Sequence, residues 1–191
     1  MTFTTKPLSP ELWEDFQAYF TYQGNPSGCW CMNHRLPIGC DFEGEAARLA
    51  IKQLIEKGRV YGLLAYTEGD PIPVGWCALD RRKTLPGHDC IEEDINCHKD
   101  IWAIHCLTSR KDYKGKGVEE ALSQAAVELG RTLSAQSIEV YPEPGSQVGQ
   151  PYQTWNTFHG HQSTFESLGF KKIDKDYGSH EEFYNPLKLE L

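Results

Sequence analysis

The sequence predicts a single mixed α/β domain, and three observations support this prediction. Of the 191 residues, 39% are hydrophobic and 24% are charged, which is ordinary for one globular domain. Segments with apolar residues at helical spacing alternate with short apolar runs bounded by turn residues. Finally, a strand, a glycine-containing loop and an amphipathic helix follow one another directly over residues 102–133.

Two helices are predicted near the N-terminus. Ser9 and Pro10 supply an N-cap and a first-turn proline for a helix over residues 9–21. Gly58 closes a second helix near residues 43–57. The apolar residues at helical spacing are Leu12, Trp13, Phe16, Tyr19 and Phe20 in the first helix, and Ala47, Ala50, Ile51, Leu54 and Ile55 in the second.

The rest of the sequence alternates between strands and helices. Residues 60–66 and 74–79 flank a turn with Gly69 and Pro71, which predicts a hairpin. A strand over residues 102–108, a helix over 118–133, a strand over 137–141 and a short helix over 161–168 follow. The apolar stripe predicted for the helix over 118–133 consists of Val118, Leu122, Ala125, Leu129 and Leu133.

The loop of residues 108–117 suggests an anion site. It contains four basic residues and one acidic residue, in a chain whose formal net charge is −8. Gly115 and Gly117 allow a sharp turn, and the helix that follows presents unpaired N–H groups and a partial positive charge. The Walker and dinucleotide patterns are both missing here. We therefore expect the loop to hold the diphosphate of a cofactor.

This loop resembles the acyl-coenzyme A (CoA) loop of the GNAT acyltransferase superfamily, whose pattern is Arg or Gln, two residues, Gly, one residue, then Gly or Ala. The matching residues are Lys114, Gly115, Lys116, Gly117, Val118 and Glu119. The order of elements over residues 60–191 and the sequence Leu168-Gly169-Phe170 also resemble that superfamily. The run Leu107-Thr108-Ser109 is similar to its histone-acetylating branch.

The resemblance implies a mixed, mostly antiparallel sheet of six to seven strands flanked by about four helices. Residues 1–58 would form the N-terminal helices and an acceptor-side loop, 59–133 the central strands, cofactor loop and helix, and 134–191 the last strands and a short helix. It further implies acetyl transfer from acetyl-CoA to a primary amine of a small molecule, by direct attack in a ternary complex. The residues implied to bind the cofactor are Cys106, Leu107, Ser109, Lys114, Gly115, Lys116, Gly117 and Val118.

Candidates for proton transfer are three histidines, His105, His159 and His161, because imidazole titrates in the useful range. Ser163 and Thr164 could offer a hydroxyl near Phe165, which stands where the family often has a catalytic Tyr. A hydrogen-bonded core role for His105 and a helix-capping role for the other two histidines remain open. We expect the long connections 81–100 and 142–160 to bear function, and the candidate acceptor-binding residues are Trp30, Glu92, Glu93, Tyr152 and Trp155.

Three positions depart from the family pattern and keep alternatives open. Glu119 replaces a small residue, Phe165 lacks a hydroxyl, and Ile101 stands where the histone branch has a Glu. These departures favour a non-catalytic acyl-CoA-binding or sensor module, whereas the likeness to the histone branch favours a protein or peptide acetyltransferase. Cys106 could act as a nucleophile, but a thiol on a central strand is more often inert.

Composition excludes several other classes. A net charge of −8 argues against nucleic acid and anionic membranes as partners. There is no apolar run of about 18 residues and no signal-peptide core, so we expect a cytoplasmic protein. We expect it to be a monomer or a homodimer. The seven cysteines are expected to be reduced. The Cys29-Trp30-Cys31 spacing does not match common zinc sites, so no metal is expected.

Overall fold

The computed structural model describes residues 1–22, 28–36, 42–86, 100–143, 145–148, 158–173 and 186–191. Its centre is a seven-stranded sheet in the order β1-β2-β3-β4-β5-β7-β6, in which only β4 and β5 run parallel. The strands are β1 (Phe3–Pro7), β2 (Gly62–Thr67), β3 (Gly75–Arg81), β4 (Ile101–Ser109), β5 (Ser137–Val140), β6 (Lys171–Lys172) and β7 (Leu187–Glu190). The α-helices in these ranges are α1 (Trp13–Tyr22), α2 (Gly44–Glu56), α3 (Val118–Thr132) and α4 (Gln162–Ser167). The predicted fold class is thus confirmed.

The predicted helices, the hairpin and the central strand all form, within a few residues of their expected bounds. Strand β1 was not predicted. It is a short edge strand with an exposed, polar sequence that ends in proline, and only its pairing with β2 makes it a strand. Nor did any sequence signal single out β7, which lies between β5 and β6. In the described part of the chain, no helix has the length and apolar character needed to cross a membrane.

Two large apolar cores lie on opposite faces of the sheet, and Leu85, Ala103 and Tyr141 form a small third cluster. The first lies beneath α3, and the second packs α1 and α2 against Leu64, Trp76 and Ala78. The stripe predicted for α3 is partly wrong. Ala126 and Gly130 face the sheet, and Ala125 and Leu129 lie only at the edge of the core. The small side chains let α3 approach closely, since a Cβ on Gly130 would come within 2.7 Å of the Ile138 side chain.

Strand β4 contains an irregularity that shapes the site. Ala78 of β3 pairs with Cys106, but the next residue, Leu79, pairs with Ile104, so His105 is an extra residue in β4. Because of this bulge, His105 and Cys106 both contact residues on the α1 and α2 face. Pairing of β4 with β5 extends only to Ile104 and Val140.

Beyond that point, residues 158–161 run beside the end of β4. His159 forms a parallel bridge with Leu107, and His161 forms one with Glu143. This segment therefore lies between the diverging ends of β4 and the chain that follows β5. It brings two of the histidines predicted from the sequence close to the bulge in β4.

Candidate functional site

The bulge in β4 places His105 in a buried polar cluster with Asp80 and Arg35. Nε2 of His105 lies 2.8 Å from Oδ2 of Asp80, and the same oxygen accepts a 2.5 Å hydrogen bond from Nη2 of Arg35. His105 is fully buried, and the Arg35 and Asp80 side chains expose only 7% and 6% of their surface. Three elements build the cluster: β3 supplies Asp80, β4 supplies His105, and the short turn Asn33–Arg35 supplies Arg35.

The charge on Asp80 determines how the imidazole is held. Burial by itself would raise the pKa of Asp80, but Arg35 and the hydrogen bond from His105 outweigh it, so the pKa lies below its usual value. Asp80 is therefore ionised and can only accept hydrogen bonds. Arg35 Nη1 also lies 3.2 Å from Nε2, but the contact with the ionised Asp80 is shorter, so we assign the Nε2–H tautomer to His105. Nδ1 then carries a lone pair, and among the described residues no group hydrogen-bonds to it.

Two further histidines, His34 and His159, lie close to His105. The His34 ring meets the rings of His105 and His159 edge to face, with both centroid distances 5.4 Å. Burial, with a smaller contribution from His105, lowers the pKa of His159 to about 4, so His159 is neutral near pH 7. His159 Nδ1 is also buried without a hydrogen bond from the described part of the chain.

Thiols lie next to the histidines on the same face. Cys31 accepts a hydrogen bond from Trp76 Nε1 at 3.4 Å. The neighbouring thiol of Cys106 is the main cause that lowers the pKa of Cys31, and Arg35 and His105 also contribute. The neighbouring Cys31 and burial raise the pKa of Cys106.

The basic loop between β4 and α3 has the geometry expected of an anion site. Gly115 and Gly117 have φ values of 70° and 91°, in the left-handed region that favours glycine, and Gly117 caps α3. No atom lies within 4 Å of the place where a Cβ on Gly115 would stand. Lys114 and Lys116 are exposed beside the helix start. The loop is therefore open to a ligand.

Arg110 contributes differently from the lysines. Its guanidinium binds Asp70 at 2.8 Å and Asp112 at 2.6 Å, and it lies 4.1 Å from the ring centroid of Tyr22. Arg110 is buried, and its ion pair with Asp70 holds the loop against the β2–β3 turn. Of the basic residues counted in the sequence, only the lysines are left to attract an anion.

Glu119 lies in the first turn of α3 and points into the protein. Its Oε2 lies 3.1 Å from Nδ1 of His161, and its Oε1 accepts a 3.4 Å hydrogen bond from Ser109 Oγ. His161 directly precedes α4, so this carboxylate joins the starts of two helices to the end of β4. Ser109, implied by the resemblance to bind the cofactor, and His161, a candidate for proton transfer, thus both contact Glu119.

The backbone N–H of Leu107 already has a hydrogen-bond acceptor. Its N–H donates to the carbonyl of Phe158 at 2.6 Å, within the bridge that joins β4 to residues 158–161. The role implied for Leu107 in binding the cofactor stays a prediction. A ligand on this N–H would have to displace the Phe158 carbonyl.

The remaining candidates fall into three groups. Ser163 accepts a hydrogen bond from the Val148 N–H at 3.1 Å, whereas Thr164 is buried and its Oγ1 has no partner among the described residues. Trp30 exposes only 9% of its surface and stacks on Phe20, and its contact with an acceptor stays a prediction. The candidates outside the described residues are Glu92, Glu93, Tyr152 and Trp155.

Sequence reasoning missed Asp80, Arg35 and His34 as members of the histidine cluster. Asp80 could have been recognised from the sequence, because it follows the apolar part of a strand, where a buried charged side chain needs a partner. Arg35 had no such signal, because it comes from an irregular segment far away in sequence. His105, which was predicted from the sequence, contacts all three of these residues.

Solved structures share this fold. A chain of the NatC complex, crystallised with a Gag peptide and CoA, matches with a TM-score of 0.57 at 17% identity, over 100% of this chain and 99% of that chain. An N-acetyltransferase from Staphylococcus aureus Mu50 matches with a TM-score of 0.58 at 9% identity, over 100% and 99%. The polyamine N-acetyltransferase of Drosophila melanogaster, which forms N-acetylagmatine, matches with a TM-score of 0.55 at 10% identity, over 100% of both chains.

No protein-family model matches the sequence, and no curated protein matches it either. Identities this low establish the fold alone. The chain has the fold of the GNAT N-acetyltransferases, as its resemblance to that superfamily led us to expect.

Proposed function

We propose that this chain is an N-acetyltransferase that moves an acetyl group from acetyl-CoA to a primary amine of a small molecule. The observation that carries the proposal is the pairing of His105 with Asp80 at the bulge of β4. It leaves Nδ1 of a buried imidazole without a partner among the described residues. A buried nitrogen of this kind is costly for folding unless it serves a ligand.

The loop and first turn of α3 fit the cofactor. Gly115 and Gly117 hold the backbone in a turn that side chains disfavour, and the N–H groups at the start of α3 have no acceptors within the helix. Lys114 and Lys116 would attract the diphosphate, while the Glu119 carboxylate, held by Ser109 and His161, opposes it. Acetyl-CoA would supply the acetyl group as a thioester.

His105 is the candidate general base. An amine must lose a proton as it attacks an acyl carbon, and Nδ1 can accept that proton because Asp80 keeps the hydrogen of the ring on Nε2. The imidazolium that forms would lie beside the ionised Asp80, which stabilises it. Arg35 keeps Asp80 ionised and in place. His159 stays neutral near pH 7, so it adds no competing positive charge.

A second candidate function is that of a non-catalytic acyl-CoA-binding module. It is favoured by the hydrogen bond between the Leu107 N–H and the Phe158 carbonyl, which occupies a donor that acetyl transfer would use to polarise the thioester carbonyl. This candidate predicts cofactor binding without turnover.

The test combines calorimetry with a turnover assay. Purified protein is titrated with acetyl-CoA and with free CoA at low and moderate salt, and thiol release is then followed across a panel of polyamines, amino sugars, amino acids and peptides. Salt-sensitive binding together with amine-dependent thiol release supports the proposal. Binding without release for any amine would leave the binding module, and release with peptides only would exclude a small-molecule acceptor. Absence of binding would contradict both.

A further inference from the structure

We propose that His34 is the proton relay of this site: it takes the proton of the acceptor amine from His105 and passes it to solvent. The inference rests on the proposed function, because it concerns the path of a proton that acetyl transfer releases. It gives a role to a histidine that the assignment of His105 as base leaves without one.

The hydrogen balance of acetyl transfer requires a route to solvent. A primary amine is mostly an ammonium ion at pH 7, with three hydrogens on its nitrogen. When the new C–N bond forms and the C–S bond of the thioester breaks, the amide keeps one of them and the thiol of CoA receives another. The third leaves as a proton in every turnover. His105 is fully buried and cannot give it to water directly, so a neighbouring group must take it from Nδ1.

The charged groups around His105 are unsuited to this step. Asp80 and Arg35 contact Nε2 rather than Nδ1, and a guanidinium has no lone pair to accept a proton. Burial, with a smaller contribution from His105, lowers the pKa of His159 to about 4, so that imidazole holds a proton poorly near pH 7. The proton therefore does not accumulate on His159.

The two thiols on the same face are no better placed. Cys31 is buried in the core that packs α1 and α2 against the sheet, so it has no route of its own to solvent. The neighbouring Cys31 and burial raise the pKa of Cys106, which keeps its proton and cannot accept another.

His34 has the two properties that a relay needs. Its ring meets the His105 ring edge to face, with a centroid distance of 5.4 Å and an interplanar angle of 67°, so the two imidazoles are in contact. His34 is also only half-buried, because it lies on the short turn Asn33–Arg35. It thus contacts the buried base on one side and solvent on the other.

Rotation of the His34 ring completes the transfer. The last torsion of a histidine side chain is broad and two-fold, so a ring near the surface turns between two directions within nanoseconds. In one direction a nitrogen of His34 takes the proton from Nδ1 of His105, directly or through one water. In the other it releases the proton to water, as imidazole does readily near neutral pH. Both rings end neutral, and one proton has moved to solvent.

The experiment measures kcat for the most active amine at saturating acetyl-CoA, with rising concentrations of imidazole at constant pH and ionic strength. His34→Ala should lose roughly tenfold in kcat and regain most of it with imidazole, which can enter the space of the missing ring. His34→Phe keeps an aromatic ring but no nitrogen, so it should lose as much as His34→Ala. Asn33→Ala is the matched control, since it changes an exposed residue of the same turn. Like the unmodified protein, it should show no response to imidazole.

Two results contradict the relay. Full activity in His34→Phe, or a loss in His34→Ala that imidazole does not restore, means that His34 contributes only packing. Unchanged kcat in both His34 variants means that the proton leaves by another route. Urea unfolding of each variant checks that a lower kcat does not come from a lower folded fraction.

Proton exchange measured by NMR separates failure of the relay from failure of the proposed function. At acidic pH, where His105 binds a proton on Nδ1, saturation transfer from water to that N–H reports its exchange in nitrogen-15-labelled protein. We expect roughly tenfold slower exchange in His34→Phe than in the unmodified protein and in Asn33→Ala. Equal rates overturn the relay. If no amine gives thiol release in the unmodified protein, the proposed function has failed, and the exchange rates still decide whether the proton passes through His34.

Discussion

Nε2 of His105 lies 2.8 Å from Oδ2 of Asp80, and on this contact we assign the ring hydrogen to Nε2, which leaves Nδ1 to accept a proton. The contact joins the last part of β3 to the bulge of β4, and Arg35 completes it from a separate segment. The bulge in β4 thus determines which nitrogen of His105 is left to accept a proton from the amine.

Replacement of Asp80 by Asn tests this positioning role. An amide can donate to Nε2, which would move the ring hydrogen to Nδ1 and remove the lone pair that takes the proton. We expect kcat/KM to fall by roughly 10²-fold or more. Nitrogen NMR of the imidazole should report Nε2–H in the unmodified protein and Nδ1–H in the variant. A lower rate without a tautomer change would mean that Asp80 acts on structure alone.

Arg35→Met addresses the stability of the same cluster. It leaves the buried carboxylate of Asp80 without its cation, and breaking a buried pair in this way costs about 3–5 kcal/mol. Urea unfolding at pH 7 measures the loss. Lys52→Met is the matched control, because the exposed pair of Lys52 with Glu56 is worth at most about 1 kcal/mol. Equal losses for the two variants would contradict the account.

The pH dependence of stability follows from the same carboxyl group. The pKa of Asp80 is lowered in the folded protein, although burial opposes this, because Arg35 and His105 favour the charged form. Its contribution to the free energy of unfolding is therefore fully present above the unfolded-state pKa of about 3.9 and is lost as the pH falls through the lower folded-state value. Arg35→Met should weaken this acid dependence in urea titrations below pH 5.

Replacement of Gly117 by Glu, at the start of α3, should weaken the binding of CoA. Gly117→Glu forces a side chain into a backbone with φ of 91° and adds a negative charge, so the Kd for CoA should rise by roughly tenfold or more. Gly58→Glu, at a glycine with φ of 63° and open space beyond α2, is the control for strain and charge, and it should leave the Kd unchanged.

Glu119→Gln keeps the size of the side chain and removes its charge. Because a carboxylate near a diphosphate repels it by about 1 kcal/mol in water, the variant should bind CoA up to roughly fivefold more tightly. Calorimetric titration with CoA measures the Kd of Glu119→Gln and of Gly117→Glu. Weaker binding in Glu119→Gln would mean that the contacts of Glu119 with Ser109 and His161 help to build the cofactor site.

Gly160 seats the segment of residues 158–161 against β4. A Cβ there would come within 2.8 Å of the Leu107 side chain and 3.0 Å of Phe165, and φ is 75°. Gly160→Ala should therefore lower the free energy of unfolding by about 1–3 kcal/mol more than Gly69→Ala, whose φ is 81° but whose Cβ meets nothing within 4 Å. Equal effects on urea unfolding would show that the segment does not pack as described.

Much of the fold could be predicted from the sequence because periodicity and turn residues are local signals. Helix α3 and the loop before it were found in this way, since Gly115, Gly117 and the apolar spacing of the helix are all visible within one segment. Strand β1 was missed because only its pairing with β2 distinguishes it from a polar terminus. The buried face of α3 was misplaced because the small Ala126 and Gly130 carry no strong apolar signal.

The site was harder to predict because its contacts join distant segments. His105 was found as a histidine on the central strand, but its partners Asp80 and Arg35 come from other elements, and a bulge determines which neighbours it meets. The inward turn of Glu119 toward His161 is likewise a tertiary contact. No pattern of residue types along the chain specifies either.

The most direct test of the account is the pH dependence of acetyl transfer in the unmodified protein and in His105→Gln, with the same amine. If Nδ1 of His105 takes the proton, the activity of the unmodified protein should fall at low pH more steeply than protonation of the amine alone accounts for. The variant should be slower by roughly 10²–10⁴-fold and should keep only the pH dependence of the amine itself. Equal rates and equal pH profiles in the two proteins would contradict the central claim that His105, held by Asp80, is the base.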